Sequence, residues 1–267
     1  MSGELAPRYR MPVSFGPAPG PRNVPTDHQH RRYDKKIAAL TLSAATDPDR
    51  IAAFLPDGFA LRGEARIEIS LIVLTDIGWL AGRGYNILMV RIPAVWEGKE
   101  RVEGHFVPVV WESMADPIIT GRDELGWCKI NAEIPDPRID GASWRAHAAW
   151  EGYRFCEIEA DALAPIDAVL DPPLPMLFQK YVPRTGDWGK ADISYPTATG
   201  PDGPPPTLQG VARGTGRFAF RHARWEDMPT QYPIVNALAD LPLDRFGPAT
   251  LVTSTGGGDA SGQRILS

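Results

Sequence analysis

Short stretches of alternating apolar and polar residues recur along most of the chain. From residue 66 to residue 71, charged or polar residues at even positions alternate with isoleucine or leucine at odd positions. A period of two is typical of a β-strand with one buried face. Similar alternation or short apolar runs occur in seven further segments: 86–90, 106–111, 129–134, 144–150, 153–159, 191–194 and 217–222. Turns rich in proline and glycine separate them, which favours an antiparallel or mixed sheet that curls or closes.

Few segments show a helical pattern. Asp47 can accept hydrogen bonds from free amides at a helix start, Pro48 suits the first helical position, and residues 56–58 stop the helix. Residues 236–241 predict a second short helical turn, and Pro108 predicts an edge or a bulge within its strand. The fold class is therefore α+β, with a curled, largely antiparallel sheet and few short helices.

The chain divides into three parts. Residues 1–32 are rich in proline, glycine and arginine, lack periodicity and are predicted to form an extended arm. Residues 33–255 are predicted to form a single domain. Residues 196–207 lie within it as a loop or hairpin tip, because strand-like sequence resumes directly afterwards. The tail, 256–267, begins with three glycines and is expected to be mobile.

Composition and charge exclude several classes of function. The net charge of −5 disfavours binding to nucleic acid or to an anionic membrane, since both need clustered Lys and Arg. No apolar run approaches the roughly 20 residues of a membrane-spanning helix, and the N-terminus lacks a signal-peptide pattern. Two cysteines make no disulfide framework, and the five histidines form no metal-binding motif. We expect a cytoplasmic protein without metal or cofactor.

One segment contains candidate chemistry. Residues 121–129, Gly-Arg-Asp-Glu-Leu-Gly-Trp-Cys-Lys, bring Lys129 out of a glycine-containing turn onto the start of an apolar strand. A lysine ordinarily has a pKa near 10.4, and burial can lower it by up to about 3–5 units. The neutral amine can then attack a ketone and form an imine, whose protonated form accepts electrons from a breaking C–C or C–H bond. From the residues alone, a solvated charge is the more common interpretation of such a lysine.

Several segments resemble the acetoacetate decarboxylase family, a known user of imine chemistry. Residues 121–129 resemble the glycine-arginine-acid…lysine stretch that carries the family's imine-forming lysine. Further similar segments are the helix at 46–56, the strand at 65–69 and the strand at 178–183. The resemblance implies the family's fold, a barrel-like cone. It assigns the nucleophile to Lys129 and a supporting carboxylate, which orients the lysine or shuttles a proton, to Glu68.

The chain departs from the family pattern at two positions. Ile130 follows the nucleophile where the best-known members carry a second lysine, and Arg83 or Ile87 stands where they carry a second glutamate. Both departures point away from acetoacetate itself as the substrate. The first hypothesis is a lyase that acts on a keto acid or related carbonyl compound, by decarboxylation, retro-aldol cleavage or dehydration. The alternatives are a small-molecule-binding or structural protein without imine chemistry, and an enzyme that uses the cavity without a covalent bond.

Other residues are candidates for binding the substrate. Arg83 can hold a substrate carboxylate through paired hydrogen bonds, and three aromatic residues, Tyr85, Trp111 and Trp127, can line an apolar pocket. Two arginines of the arm, 31 and 32, are candidates for an N-terminal arginine of the family. Arg122 and Glu124 are interpreted as structural residues of the turn, and Cys128 as a weaker candidate nucleophile. We also expect a homo-oligomer, from the long arm and the resemblance.

Overall fold

Fifteen strands in the described part of the chain pair into one sheet. The computed structural model describes Met11, Pro21, Val24 and residues 34–167, 172–201, 204–258, 260 and 262–267. The strands are β1 (Lys36–Ala45), β2 (Phe59–Leu61), β3 (Arg66–Ile77), β4 (Arg83–Glu97), β5 (Arg101–Glu112), β6 (Lys129–Asn131), β7 (Arg138–Asp140), β8 (Ser143–Trp150), β9 (Tyr153–Pro165), β10 (Met176–Arg184), β11 (Asp187–Ala198), β12 (Thr207–Phe220), β13 (Asp244–Phe246), β14 (Ala249–Thr255) and β15 (Arg264–Ile265). The helices are α1 (Pro48–Ala52), α2 (Ala115–Thr120) and α3 (Tyr232–Ala239), with a 3₁₀ turn at Gly78–Leu80 and a π-helical segment at Gly121–Leu125.

The strands follow the order β15-β11-β10-β5-β4-β3-β1-β14-β12-β9-β8-β7, with β2, β6 and β13 paired to β4, β5 and β1. Strand β5 pairs in parallel with both β6 and β10, while the other pairings between these strands are antiparallel. The prediction of a largely antiparallel sheet with few short helices is confirmed. The path is not closed among the described residues, so the sheet is mixed and open rather than a complete barrel.

Local sequence signals account for the irregular points of the fold. The Asp47 side chain accepts from the amide of Arg50 at 2.9 Å and caps α1, as expected. Within β5 the register shifts, because Val109 pairs with Val90 whereas Phe106 pairs with Ile92. Two residues of β5 therefore lie opposite one residue of β4, and this is the bulge that Pro108 predicts.

The curled sheet encloses one large apolar core. The odd-numbered residues of β3 that the alternation assigns to the interior, Ile67, Ile69 and Leu71, are fully buried there. Helix α3 packs against the same core through Val235 and Leu238. A second, smaller cluster contains residues from β4, β5 and β10, namely Ile87, Met89, Val107, Val110 and Phe178. It adjoins the candidate site described below.

The structure describes most of the C-terminal tail but little of the N-terminal arm. The tail expected to be mobile from residue 256 instead returns to the sheet, since β15 pairs with β11 and Leu266 is buried. The indole of Trp96 donates to the carbonyl oxygen of Ser267 at 3.2 Å. The arm at 1–32, with arginines 31 and 32, lies outside the described residues except for Met11, Pro21 and Val24.

Candidate active site

Lys129 is the first residue of β6 and is buried, with 6% of its surface exposed. Strand β6 pairs in parallel with the end of β5, so that Lys129 lies opposite Val110 and Asn131 opposite Glu112. A parallel pair needs a crossover connection, and here residues 113–128 supply it through α2 and the π-helical segment. The lysine side chain is thereby enclosed between the sheet and its own crossover, because the connection folds back over the strand end.

Glu112 is the partner of this lysine. Its Oε1 lies 2.8 Å from Lys129 Nζ, and its side chain is fully buried. In the described part of the chain, no other group is paired with either carboxylate oxygen. Burial raises the pKa of Glu112 above its ordinary value, and the charge of Lys129 only partly opposes this. A buried carboxyl whose pKa is raised is well suited to accept and return a proton.

Four further contacts fix the lysine. Nζ also donates to the carbonyl oxygen of Pro117 at 3.2 Å and lies 4.9 Å from the centroid of the Trp127 ring. A Cβ atom built onto Gly121 would stand only 2.5 Å from Cδ and Cε of Lys129. The absence of a side chain at Gly121 therefore makes the space that the lysine occupies. Arg122 donates to the carbonyl oxygen of Lys129 at 2.9 Å, which agrees with its structural interpretation.

Lys129 and Glu112 line a cavity of about 480 Å³. Its other lining residues include an apolar and aromatic group: Leu74, Ile77, Trp79, Tyr85, Ile87 and Trp127. The Trp127 ring stacks on Phe178 with 4.7 Å between centroids, and its indole donates to Oε1 of Gln263 at 3.2 Å. Burial raises the pKa of the Tyr85 hydroxyl, and the nearby charge of Glu112 raises it further. The cavity thus combines the buried Lys129–Glu112 pair, and Lys35 elsewhere in its lining, with largely apolar walls, an arrangement common in small-molecule sites.

The structure brings together three of the residues proposed from the sequence: Lys129, Tyr85 and Trp127. Trp111 is on the other face of β5, in the main core, where its indole donates to Gln231 at 2.8 Å. Arg83 is exposed at the start of β4, donates to the carbonyl oxygen of Leu80 at 3.2 Å and does not line the cavity. The expected positions of Trp111 and Arg83 at the pocket are therefore corrected.

The expected contact between Glu68 and Lys129 is also not formed. Glu68 pairs with Arg91 at 3.2 Å and approaches His105 at 3.7 Å. Along β3 it is six residues from Leu74, which lines the cavity, and at about 3.3 Å per residue this separation is roughly 20 Å. Glu112 occupies the place beside the lysine that the sequence interpretation gave to Glu68.

Sequence reasoning missed Glu112, although a signal was present. It is the carboxylate that directly follows the apolar run 106–111, at the end of a buried strand. Alternation places it on the same face of β5 as Val110, which belongs to the apolar cluster beside the cavity, and opposite to Trp111. A charged residue ending a buried run is unusual enough to suggest a partner of opposite charge.

Neither of the other chemistries considered gains support in the described residues. Cys128 donates its thiol to the carbonyl oxygen of Val107 at 3.0 Å, and burial raises its pKa to about 12. Such a thiol is a poor nucleophile at neutral pH. No group of three His, Cys, Asp or Glu in the described ranges could hold a metal ion.

None of the helices described here is long and apolar enough to cross a membrane.

A sequence model of the acetoacetate decarboxylase (ADC) family matches residues 10–245. The chain belongs to the acetoacetate decarboxylase family. This confirms the resemblance of the segments around Thr46, Glu68 and Lys129, which all lie within the matched residues. No curated protein sequence matches the chain significantly.

Solved structures share the acetoacetate decarboxylase fold with this chain. An acetoacetate decarboxylase from Legionella pneumophila is 18% identical, covers 94% of this chain and 92% of its own, and superimposes with a TM-score of 0.67. The enduracididine biosynthesis enzyme MppR, solved with pyruvate, is 16% identical over 88% of this chain and 90% of its own, with a TM-score of 0.64. An acetoacetate decarboxylase-like enzyme from Sphingomonas wittichii RW1 is 19% identical over 88% and 92%, also at 0.64. The predicted fold is confirmed at this level.

Proposed function

We propose that this family member is a carbon–carbon lyase that acts on a keto acid or related carbonyl compound through an imine on Lys129. The observation that carries the proposal is the buried Lys129–Glu112 pair, 2.8 Å apart, in a cavity with apolar walls. A surface lysine paired for stability would be exposed, whereas this amine faces a space in which a small molecule fits. Cavities of about 300–1,000 Å³ are typical of such ligands.

The first step needs a neutral amine. Glu112 accepts a proton from the Lys129 ammonium, and the raised pKa of this carboxyl favours that transfer. The free Nζ adds to the substrate carbonyl carbon, and the resulting carbinolamine loses water as the carbonyl oxygen takes up two protons, one of them returned by Glu112. The product is a protonated imine, which is the electron acceptor for the next step.

The second step breaks a bond to the carbon atom next to the imine carbon, so decarboxylation by this route needs a 3-oxo acid. In decarboxylation, the electrons of the bond to the carboxylate move towards the imine nitrogen, CO₂ leaves and an enamine forms. In retro-aldol cleavage, the departing fragment is an aldehyde or ketone, and in both cases protonation of the enamine follows. In dehydration, the carbon next to the imine first loses a proton to give the enamine, which then expels the β-hydroxyl group as water, with a proton added, and leaves an unsaturated imine. Hydrolysis of the imine releases the product and restores Lys129. Glu112, beside the nitrogen, takes over the proton transfers first assigned to Glu68.

The solved relatives support a choice of substrates wider than acetoacetate. MppR has been solved with pyruvate and with the condensation product of pyruvate and imidazole 4-carboxaldehyde. In this chain Ile87 contributes to the cavity wall. The best-known family members carry a carboxylate at the position of either Ile87 or Arg83. We assign Tyr85 and Trp127 to the wall that contacts the substrate.

Trapping with borohydride tests the proposal. The protein is incubated with pyruvate, acetoacetate or a larger 2-oxo acid, reduced with sodium borohydride and digested for mass spectrometry. A reduced adduct on Lys129, absent in Lys129→Met, is expected with at least one compound. Lys190→Met, which removes an exposed lysine, is the control and should trap as the wild type does. Absence of an adduct with every compound would favour a binding protein, and turnover that persists in Lys129→Met would favour non-covalent catalysis.

A further inference from the structure

Lys180 is a second buried lysine near the site, and the mechanism above does not use it. It lies on β10 with 8% of its surface exposed. Its Nζ is 2.7 Å from the carbonyl oxygen of Asp123 and 3.4 Å from that of Glu124. In the described part of the structure no carboxylate lies within ion-pair distance of it. Nζ also lies 6.0 Å from the centroid of the Tyr195 ring. A buried cation held mainly by backbone carbonyls is uncommon, because burial of charge is costly without good partners.

The two carbonyl groups belong to the π-helical segment, Gly121–Leu125. In this segment the amide of Gly126 bonds to the oxygen of Gly121, and the last carbonyls of any helical turn lack partners within the turn. Lys180 supplies partners for two of them, and the hydroxyl of Thr197 donates to a third, the oxygen of Leu125, at 3.4 Å. Side chains of β10 and β11 therefore hold the end of the segment against the sheet.

Close packing accompanies these hydrogen bonds. Gly126 follows the segment with a φ of 79°, which favours glycine. A Cβ atom added there would stand 2.6 Å from Cβ of Lys180, 2.8 Å from Cγ and 2.9 Å from Cδ. The aliphatic stem of Lys180 thus lies directly on the backbone of Gly126. The segment cannot move towards β10, and its hydrogen bonds to Lys180 oppose movement away from β10.

The other end of the same segment contacts Lys129. Gly121 is the residue whose missing side chain makes space for Cδ and Cε of Lys129. Arg122, the next residue, donates to the Lys129 carbonyl oxygen at 2.9 Å. Five residues of π-helical backbone therefore separate the two buried lysines. Displacement of the segment would alter the position of the Lys129 amine relative to Glu112.

We propose that Lys180 is a positioning residue for the imine chemistry, which acts through the Gly121–Leu125 segment to hold Lys129 Nζ beside Glu112. This inference rests on the proposed function of Lys129. Lys180 itself does not line the cavity. Its effect is to fix the geometry of a group that must lie within hydrogen-bond reach of its base. A misplacement of about 1 Å can reduce a rate by about a hundredfold.

The test compares Lys180→Met with Lys190→Met. Methionine keeps most of the stem of Lys180 but removes the donors, whereas Lys190 is exposed and serves as the matched control. We expect Lys180→Met to slow borohydride trapping of pyruvate on Lys129 about ten- to a hundredfold at saturation. The pyruvate concentration that gives half-maximal trapping should change less than about threefold, because the apolar part of the wall formed by Leu74, Ile77 and Ile87 stays in place. Hydrogen exchange should accelerate in the peptide 121–129 and stay unchanged in β12.

Two further measurements keep the result decisive. Thr197→Val removes the neighbouring bond to Leu125 and should have the same effects at smaller size, so it replaces Lys180→Met if that variant does not fold. Acetylation of Lys129 by acetic anhydride reports on its position without any imine. If the wild type traps no carbonyl compound, the proposed function is wrong. The acetylation rate of Lys129 and the hydrogen exchange of peptide 121–129 then still test whether Lys180 positions Lys129. The inference would be overturned if the rates of pyruvate trapping, Lys129 acetylation and hydrogen exchange in both variants lay within twofold of those in Lys190→Met.

Discussion

Gly121→Ala tests whether the space beside Lys129 governs its reactivity. The backbone of Gly121 has φ −65° and ψ −40°, an ordinary right-handed helical conformation. Alanine adopts this conformation without strain, and its helix propensity exceeds that of glycine by about 1 kcal/mol. The substitution therefore adds one methyl group and changes nothing else of consequence. Any effect on the site comes from the contact between that methyl group and Lys129.

The size of the effect follows from the distances. The new Cβ would stand 2.5 Å from Cδ and Cε of Lys129 and 2.9 Å from Nζ. Carbon atoms in contact are ordinarily about 3.5–4.0 Å apart, so the lysine must move by about 1 Å. Overpacking typically costs about 1–3 kcal/mol, and movement of a flexible side-chain end together with the better helix propensity should bring the loss below about 1 kcal/mol. The same displacement should lower the rate of imine formation about a hundredfold.

The assay measures both quantities on the same variant. Urea unfolding gives the free energy of unfolding, and borohydride trapping with the preferred carbonyl compound gives the rate of imine formation. Gly189→Ala is the matched control, because a Cβ atom at Gly189 meets no atom within 4 Å. We expect Gly121→Ala to keep nearly the stability of this control but to trap far more slowly. Equal trapping rates in the two variants would refute the reasoning, since Lys129 would then tolerate displacement.

Three further predictions concern ionisable groups. The pKa of Glu112 is raised by burial, so just above pH 4.5 the folded chain holds a proton that the unfolded chain has released. The free energy of unfolding, measured with urea, should therefore fall as the pH rises above 4.5. In Glu112→Gln this decrease should be absent. Cys128, with a pKa of about 12, should resist iodoacetamide at pH 8 until the protein is unfolded, and rapid native alkylation would contradict its burial. Burial lowers the pKa of His105, the positive charges of Arg91 and Arg62 lower it further, and the negative charge of Glu68 opposes them. Its NMR titration should therefore have a midpoint below pH 6.5, and a midpoint above pH 6.5 would contradict this prediction.

The strands were predictable because alternation reports directly which residues face a core. Ile67, Ile69 and Leu71 were assigned to the interior from period alone and are buried there. The bulge at Pro108 was predictable for an equally local reason, the missing amide of proline. The return of the tail to β11 was not, because the pairing depends on a partner about 65 residues earlier in the chain and on no local signal.

The site was predictable only in part, since alternation gives the face of a strand but not the neighbours along it. Glu68 does point away from the main core, yet its place along β3 puts it beside Arg91 rather than Lys129. Glu112 and Lys129 meet because β5 and β6 pair in parallel across a crossover. The register of such a pair is a tertiary property, which the sixteen residues between them do not encode.

The crossover that joins β5 to β6 has a consequence for how this sheet can acquire new chemistry. Residues 113–128 leave the sheet after Glu112 and return at Lys129, and the three register pairs of β5 with β6 fix both ends. Strand β10 pairs with β5 separately, at His105 and Phe106, earlier in the same strand. The crossover can therefore change in sequence while the surrounding ladder stays paired, provided that the residues that hold the lysines, such as Gly121, Arg122 and Gly126, are kept. For protein engineering, its other positions are the place to vary substrate preference apart from folding, above a fixed lysine and carboxylate.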